Sequence, residues 1–153
     1  KILGINWLAA DGIWFQAVEF KYGMLDAKRC NDTNLTWFSP FEAWSIKRLL
    51  NLSENPGIEG LKKALQMRIY ATISKQSIIE ESPNTIVFQM HECRVQSARK
   101  RKNLADYPCK SAGIIEHTNF ARAIDSRIKT ECLGCPPDKH PEEWYCAWRF
   151  SIG

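Results

Sequence analysis

Four cysteines in the last third of the chain place the strongest constraint on its fold. Cys132 and Cys135 form a C-x-x-C pair, Cys146 follows after a loop with three prolines, and Cys109 precedes them. Two thiolates separated by two residues can bind one metal ion, because a tight turn brings both sulfurs to the same point. We expect Gly134 to give that turn its backbone freedom. The spacing therefore predicts a tetrahedral site of four thiolates, with zinc as the metal.

Other interpretations of these cysteines remain open. The same thiolates could hold an iron–sulfur cluster, or they could be small buried hydrophobic side chains without a ligand. A secreted protein could use the six cysteines of the chain in disulfides, and Asn-X-Ser/Thr tripeptides in the sequence would suit secretion. A thioredoxin-type redox pair fits poorly, since this C-x-x-C ends a predicted strand rather than opening a helix.

Size and composition fit a single domain over residues 1–153. A chain of 153 residues that is 44% hydrophobic can bury a core without cross-links. No apolar run approaches the roughly 18–20 residues that span a bilayer. No apolar signal sequence is present. Because the sequence starts at Lys1 rather than at a methionine, removal of a leader remains an open alternative. We therefore expect a cytosolic (cytoplasmic) protein with reduced thiols and no membrane partner.

Hydrophobic periodicity predicts an α+β fold whose N-terminal half is helical. A first helix covers residues 5–22, where apolar side chains recur at helical spacing. A second helix runs from about Leu25, and Pro40 is expected to break or restart it, with a capped helix over 40–51. Asn55-Pro56 then opens a third helix.

The second half is predicted to form a small antiparallel β-sheet with two inserted helices, followed by a C-terminal cysteine metal knuckle. Apolar and polar residues alternate in four segments, which is typical of strands. The predicted strands cover residues 67–80, 85–91, 127–132 and 143–152, and the inserted helices cover 93–102 and a segment beginning at Pro108.

An aromatic cluster with one carboxylate lies in the first helix. Trp7, Asp11 and Trp14 are separated by four and three residues, so they are expected on one helical face, with Phe15 beside them. A stripe of core aromatics would explain the rings. Burying the Asp11 carboxylate without a partner is costly, however, so Arg94, Arg99 or a polar ligand is expected to supply that partner. The cluster is a candidate small-molecule site with Arg94 as a further ligand-binding residue.

Cys93 is a second candidate because it remains after the metal site is filled. It lies where a strand meets a helix, and a helix N-terminus with Arg94 beside it would favour the thiolate. His91 lies two residues upstream, on the same face of the strand, so Cys93 with His91 or Asp11 could carry nucleophilic or acid–base chemistry. The alternatives are a half-buried cysteine at a helix cap and a hydrogen-bonded sheet histidine. His117 is predicted at the surface.

A basic helix over residues 94–102 raises a third possibility, nucleic-acid binding. Its cations are Arg94, Arg99, Lys100, Arg101 and Lys102. No aromatic residues alternate with these charges, no recognition motif accompanies them, and the net charge of the chain is only +4. A solvated helical face is therefore the favoured interpretation.

The cysteine region resembles the end of the vinyl-reductase-type small-molecule-binding domain, the ligand-sensing module of phenol-responsive regulators. The resemblance runs from Cys109 through Glu131-Cys132-Leu133-Gly134-Cys135 to Cys146-Ala147-Trp148-Arg149-Phe150. In that domain three cysteines and an acidic residue bind zinc. The resemblance therefore implies zinc here, with Cys132 at the acidic position and a longer loop before Cys146. The adjacent Glu131 leaves the fourth ligand open. Analogy with the sensor domain also implies a homodimer.

A second resemblance covers most of the chain. It rests on Trp7-Leu8-Ala9-Ala10-Asp11-Gly12-Ile13-Trp14-Phe15, His91-Glu92-Cys93-Arg94, Tyr107-Pro108-Cys109 and the block from Cys132 to Trp148. These segments are similar to an uncharacterised cytosolic family of anaerobic prokaryotes, distantly similar to aminothiazoline-carboxylate hydrolase-like proteins. Cys93, Cys109 and the last cysteine have counterparts there. The resemblance implies a fold and a metal site more directly than a reaction.

These observations give one leading hypothesis and two alternatives. The leading hypothesis is a metal-stabilised domain that binds a small aromatic or carboxylate-bearing molecule. The first alternative is a hydrolase of a small cyclic amide or thiazoline that uses Cys93 with His91 or Asp11. The second is a nucleic-acid binder that uses the basic helix.

Overall fold

The computed structural model describes residues 1–153 as six helices and four strands. The predicted α+β class is confirmed, since N-terminal helices precede a four-stranded antiparallel sheet that has helices inserted in its connections. The elements in chain order are α1 (Ile2–Tyr22), α2 (Met24–Leu49), α3 (Gly57–Met67), α4 (Ile69–Ile73), β1 (Lys75–Ser82), β2 (Thr85–Glu92), α5 (Arg94–Arg101), α6 (Lys110–Ile124), β3 (Lys129–Gly134) and β4 (Cys146–Ser151).

The first two helices form a hairpin whose connection is Gly23 alone. This glycine has φ of 91°, a left-handed conformation that other residues rarely adopt, and its N–H donates to the carbonyl of Glu19 at 2.8 Å. The chain reverses at this point, and the Trp7 ring stacks on Phe38 of α2 with centroids 5.5 Å apart. The hairpin is therefore held by side chains well away from its turn.

Helix α2 continues through Pro40, so the predicted break at this proline is wrong. Proline removes one backbone hydrogen bond and usually kinks a helix. Here Leu35, Ser39, Ala43 and Ile46 are all buried and lie at helical spacing on both sides of the proline. The packing of this continuous stripe offsets the lost hydrogen bond. A local sequence rule does not include such tertiary packing, and it therefore predicts a break.

The predicted strand over 67–80 is wrong in its first half, because Met67 and residues 69–73 are helical. Met67 ends α3, Arg68 adopts an extended conformation, and α4 follows directly. The buried Arg68 side chain binds two carboxylates, and the backbone N–H of Ile69 donates to Glu42 at 3.2 Å. These tertiary bonds fix the corner between the two helices, and the hairpin begins only at Lys75.

The sheet has the strand order β1-β2-β4-β3 with every neighbouring pair antiparallel. Ile86 and Phe88 of β2 and Trp148 and Phe150 of β4 are buried, and they belong to the main core with side chains of α3 and α6. Phe88 and Cys132 flank Trp148 in the sheet register. One face of the two central strands thus carries the apolar side chains against the helices.

Two glycines allow close approach to tryptophan rings. A Cβ atom on Gly113 of α6 would lie 2.6 Å from Cζ2 of Trp148, so this helix can approach the sheet only without a side chain there. A Cβ atom on Gly134 would lie 2.9 Å from Cη2 of Trp144. Gly134 is not among the residues with positive φ, so the prediction that it supplies backbone freedom is wrong. Its role is to leave space for an indole.

The helical hairpin leaves a broad apolar surface exposed, which we call the outer helical face. Trp14 is 76% exposed and Trp37 is 75% exposed, values far above those of core residues. Large exposed patches of this kind commonly mark interaction surfaces. The members of the outer helical face are Ile2, Leu3, Ile13, Trp14 and Phe20 of α1, and Leu25, Trp37, Phe41 and Trp44 of α2. None of the helices is long and apolar enough to cross a membrane.

Candidate ligand-binding cavity

A cavity of about 190 Å³ lies between the helical hairpin, α6 and the central strands. Apolar cavities of about 150 Å³ can hold benzene, so this volume suits a molecule with a single substituted ring. More than half of the lining residues are hydrophobic. The apolar part of the wall comprises Trp7, Leu8, Phe15, Leu35, Phe38, Tyr70, Phe88, Met90, Val95 and Trp148.

Aromatic rings form the part of this wall nearest to α1. Besides stacking on Phe38, the Trp7 ring meets Tyr70 edge to face with centroids 5.9 Å apart. Phe15 meets Tyr107 in the same way at 5.1 Å. Such pairs hold one another in fixed orientations, so this side of the cavity is rigid.

Arg68 is the centre of a buried charge cluster at the cavity. Its guanidinium lies 2.9 Å from Glu42 and 2.6 Å from Glu116, and all three side chains are at most 15% exposed. The guanidinium carbon also lies 4.5 Å from the centre of the Phe120 ring. Burial alone would lower the pKa of Arg68, but the charges of Glu116 and Glu42 outweigh it and hold that pKa above its usual range. Arg68 therefore remains a cation.

Asp11 lines the same cavity without a partner. It forms no ion pair and accepts no side-chain hydrogen bond, so the predicted pairing with Arg94 or Arg99 is absent. Burial raises the pKa of the Asp11 carboxyl, and the negative charge of Glu116 raises it further. A group with such surroundings is a natural contact point for a polar ligand.

His117 is buried in the cavity wall, so its predicted surface position is wrong. It is 7% exposed, its ring lies 4.6 Å from that of Trp148, and its Nδ1 atom has no hydrogen-bond partner. Burial, and next the charge of Arg68, hold the pKa of His117 well below its usual range. The imidazole is therefore neutral, and its Nδ1 atom can donate or accept a hydrogen bond with a bound molecule, depending on the tautomer.

Cys93 lines the cavity, but its environment does not activate it. It caps α5, yet burial raises the pKa of its thiol to about 12, which contradicts the expected thiolate. His91 does not line the cavity; its Nε2 lies 2.7 Å from Ser77 Oγ and its Nδ1 lies 2.8 Å from the carbonyl of Glu143. The predicted shared face of Cys93 and His91 is wrong, because the strand ends between them. His91 is a hydrogen-bonded sheet residue.

Of two other residues that were predicted to bind the ligand, Trp14 is exposed and Arg94 lines the cavity. Trp14 is exposed on the outer helical face and does not line the cavity, so the structure does not bring this predicted ligand contact into the site. Arg94 does line the cavity and makes no ion pair. Arg99 binds Glu19 through both of its terminal nitrogens at 2.7 and 2.8 Å, and this bidentate pair joins α5 to α1.

The four predicted metal ligands lie in neighbouring segments. Cys132 is on β3, Cys135 follows that strand directly, Cys146 begins β4, and Cys109 caps α6. All six cysteines of the chain are free. No group of three or more Cys, His, Asp or Glu side chains is arranged to hold a metal ion. The predicted metal knuckle is therefore not shown.

Thiols of this region nevertheless contact one another. Cys135 lies beside Cys109 and Cys146, and its interaction with these two thiols raises the pKa of Cys135. The neighbouring Cys135 thiol lowers the pKa of Cys146, although burial opposes that change. Gln96 donates to Cys109 Sγ at 3.0 Å. The donor set suits a thiophilic metal chemically.

Glu131 lies outside this group. It is exposed and binds Arg149 at 2.8 Å, on the face of β3 opposite to its neighbour Cys132. A role for Glu131 as the fourth ligand therefore has no geometric support.

Most of the polar wall of the cavity was not predicted from the sequence. Arg68 and Tyr70 lie in a segment predicted as a strand, and Glu116 and His117 lie in a helix predicted without functional residues. One signal was available for Arg68, since a charged residue inside an apolar alternating segment needs a buried partner. The partners themselves come from distant segments, which spacing does not reveal.

Fold and cavity together define an α+β domain with an aromatic-lined cavity between its helices and its sheet. The fold is similar to that of the phenol-responsive sensory domain of the transcription activator PoxR, in a crystal structure with phenol. The TM-score is 0.59 at 17% identity, over 94% of this chain and 73% of that chain. At this identity the likeness is one of fold, and it supports the predicted resemblance to a sensing domain at that level.

The chain belongs to DUF6125, a family of unknown function that matches residues 1–152. Among curated proteins, none is similar enough in sequence to count as a match. The resemblance to hydrolase-like proteins stays a prediction.

Proposed function

We propose that this chain is a ligand-sensing domain whose cavity binds one small aromatic molecule. The observation that carries the proposal is the aromatic-lined cavity of about 190 Å³ with polar groups that lack partners, Asp11 and the Nδ1 atom of His117. Apolar cavities with few polar groups are typical of small-molecule sites. The similarity of the fold to that of a phenol-responsive sensory domain also supports the proposal.

Filling the cavity tests the proposal. A Cβ atom on Gly12, which lines the cavity, would meet nothing within 4 Å, so Gly12→Leu places a side chain in open space. Ala10→Leu places the same side chain at an exposed position of α1. We expect one-ring compounds to raise the melting temperature of the wild type and of Ala10→Leu but not of Gly12→Leu. Equal shifts in all three proteins would contradict binding in the cavity.

The proposal includes a structural zinc ion bound by Cys109, Cys132, Cys135 and Cys146. The contacts of Cys135 with Cys109 and Cys146 support this assignment, as does the sequence spacing. When bound, zinc would stabilise the connection between β3 and β4. Reduced thiols of this kind also fit the expected cytosolic setting, and an iron–sulfur cluster is the alternative cofactor.

Elemental analysis of protein purified without a metal-affinity column tests the zinc assignment. We expect about one zinc per chain, lost in Cys135→Ser and retained in Cys30→Ser, whose cysteine is exposed on α2. Iron with sulfide would favour the cluster. Absence of any metal, with every thiol open to titration, would refute the zinc site and leave the cavity proposal standing.

The proposal also includes a homodimer in which a second copy covers the outer helical face. Trp14 and Trp37 lie exposed on this face, and burial of such rings is a strong driving force for association. We expect the wild type to have the mass of a dimer in light scattering and Trp37→Glu to have that of a monomer. Leu133→Glu, on β3, is the control and should remain dimeric. A monomeric wild type would refute the dimer.

A further inference from the structure

The cavity carries an uncompensated carboxylate. Arg68 already binds Glu42 and Glu116 at 2.9 and 2.6 Å, so its positive charge is shared between two negative ones. Asp11 has no partner, and the charge that acts on it most is the negative charge of Glu116. With all of these groups ionised, Arg68 is already balanced by two carboxylates, and Asp11 adds a negative charge that no ion pair compensates.

The other arginines of the wall do not correct this deficit. Arg99 is bound by both oxygens of Glu19 and by the carbonyl of Ala105 at 2.6 Å. Arg94 lines the cavity but makes no ion pair, either with Asp11 or with any other carboxylate. The positive charge that Asp11 requires is therefore not supplied by the side chains of the cavity.

The surroundings of Asp11 suit an ammonium group. Trp7 lies one helical turn before it, and the Trp7 ring packs with Phe38 and Tyr70. Aromatic faces beside a carboxylate bind organic cations through the ring quadrupole and the opposite charge. Independently, His117 lines the cavity, is 7% exposed and leaves Nδ1 without a partner. A neutral imidazole can accept a hydrogen bond from an N–H group of such a ligand.

We propose that the ligand of this cavity is a small organic cation, an aromatic amine or amidine whose charged nitrogen binds Asp11 and whose ring contacts the aromatic wall. This inference rests on the proposed sensing function and specifies its ligand class. It differs from a neutral phenol and from a carboxylate, since neither supplies positive charge.

Two probes of similar size separate these ligand classes. Benzylamine is a cation at neutral pH, whereas benzyl alcohol has the same ring and linker without the charge. Titration calorimetry on the full chain should give at least about tenfold tighter binding of benzylamine, equivalent to about 1.4 kcal/mol. Benzoate, the anionic counterpart, should bind more weakly than either.

Asp11→Asn tests the residue that carries the inference. The substitution keeps the shape of the side chain and removes its charge, so the preference for benzylamine over benzyl alcohol should disappear. Binding of benzyl alcohol should stay within about twofold of the wild type. Asp26→Asn makes the same change at an exposed carboxylate that binds only Arg29, and it should retain the full preference. Because Asp11 has no partner to lose, the variant should fold as the wild type does, which its melting temperature checks.

Each outcome is decisive. Binding of neither benzylamine nor benzyl alcohol would overturn both the sensing proposal and the ligand class. Equal or tighter binding of benzyl alcohol would overturn the ligand class alone. A preference for benzylamine that persists in Asp11→Asn would overturn the role of Asp11.

Discussion

Replacing Arg68 by methionine should destabilise the protein strongly. The substitution leaves Glu42 and Glu116 buried without their cation, and the lost ion pairs are short, at 2.9 and 2.6 Å. Removing one partner of a buried ion pair costs about 3–5 kcal/mol. For a domain of this length that corresponds to a fall in melting temperature of roughly 10–15 °C. Urea denaturation at pH 7 measures the free energy of unfolding directly.

A surface arginine provides the matched control. Arg149 also bridges two carboxylates, Glu81 and Glu131, at 2.9 and 2.8 Å, but its side chain is 34% exposed. Exposed pairs contribute up to about 1 kcal/mol, so Arg149→Met should have a small effect. Equal losses of stability in Arg68→Met and Arg149→Met would refute the reasoning, because burial would then not matter.

A triple variant tests the cause of the loss. Combining Arg68→Met with Glu42→Gln and Glu116→Gln removes the unpaired charges, and it should recover at least about half of the lost stability. The substitution Glu42→Gln keeps an acceptor for the backbone N–H of Ile69.

Two more predictions concern the cavity wall. Gly113→Ala should cost about 1–3 kcal/mol in urea denaturation, because its Cβ would lie 2.6 Å from Cζ2 of Trp148, whereas Gly12→Ala, with open space around its Cβ, should be neutral or slightly stabilising. Equal changes in the free energy of unfolding for Gly113→Ala and Gly12→Ala would refute the close approach of α6 to Trp148. Cys93, with its pKa raised to about 12, should react with iodoacetamide at pH 7.5 far more slowly than the exposed Cys30, as mass spectrometry of labelled peptides measures. Comparable labelling of the two thiols would show that Cys93 is accessible and reactive.

The elements that local patterns predicted well are those in which one face is buried throughout. In β2, Phe88 and Met90 alternate with polar residues and lie in the core, as the alternation indicated. The basic helix was predicted over residues 93–102, and α5 covers Arg94–Arg101. In these segments the local preference and the tertiary packing favour the same structure.

The segment around Arg68 shows where local patterns were insufficient. Met67, Ile69, Ala71 and Ile73 alternate as in a strand, yet the buried ion pairs of Arg68 hold this segment as a corner between two helices. The partners of Arg68 are 26 and 48 residues away along the chain. Spacing within a short window contains no information about such contacts.

Only part of the candidate site could be predicted from the sequence, because helix geometry does not distinguish two aromatic residues that follow Asp11. Asp11 has an aromatic residue three positions later, Trp14, and another four positions later, Phe15. Both lie within one turn of Asp11, so helical periodicity alone does not decide which of them faces inward. In the structure Phe15 packs on Tyr107 and lines the cavity, while Trp14 faces solvent. The contact with Tyr107, which is distant along the chain, therefore determines that Phe15 faces the cavity.

Helix α1 separates the cavity from the outer helical face. Trp7 and Asp11 line the cavity, and Ile13, two residues after Asp11, lies exposed on the opposite side of the helix. The two surfaces are therefore only about one helix diameter apart, roughly 10 Å. A molecule in the cavity that favours one position of α1 changes the affinity of any partner on the outer helical face, and that partner changes the affinity of the molecule by the same factor.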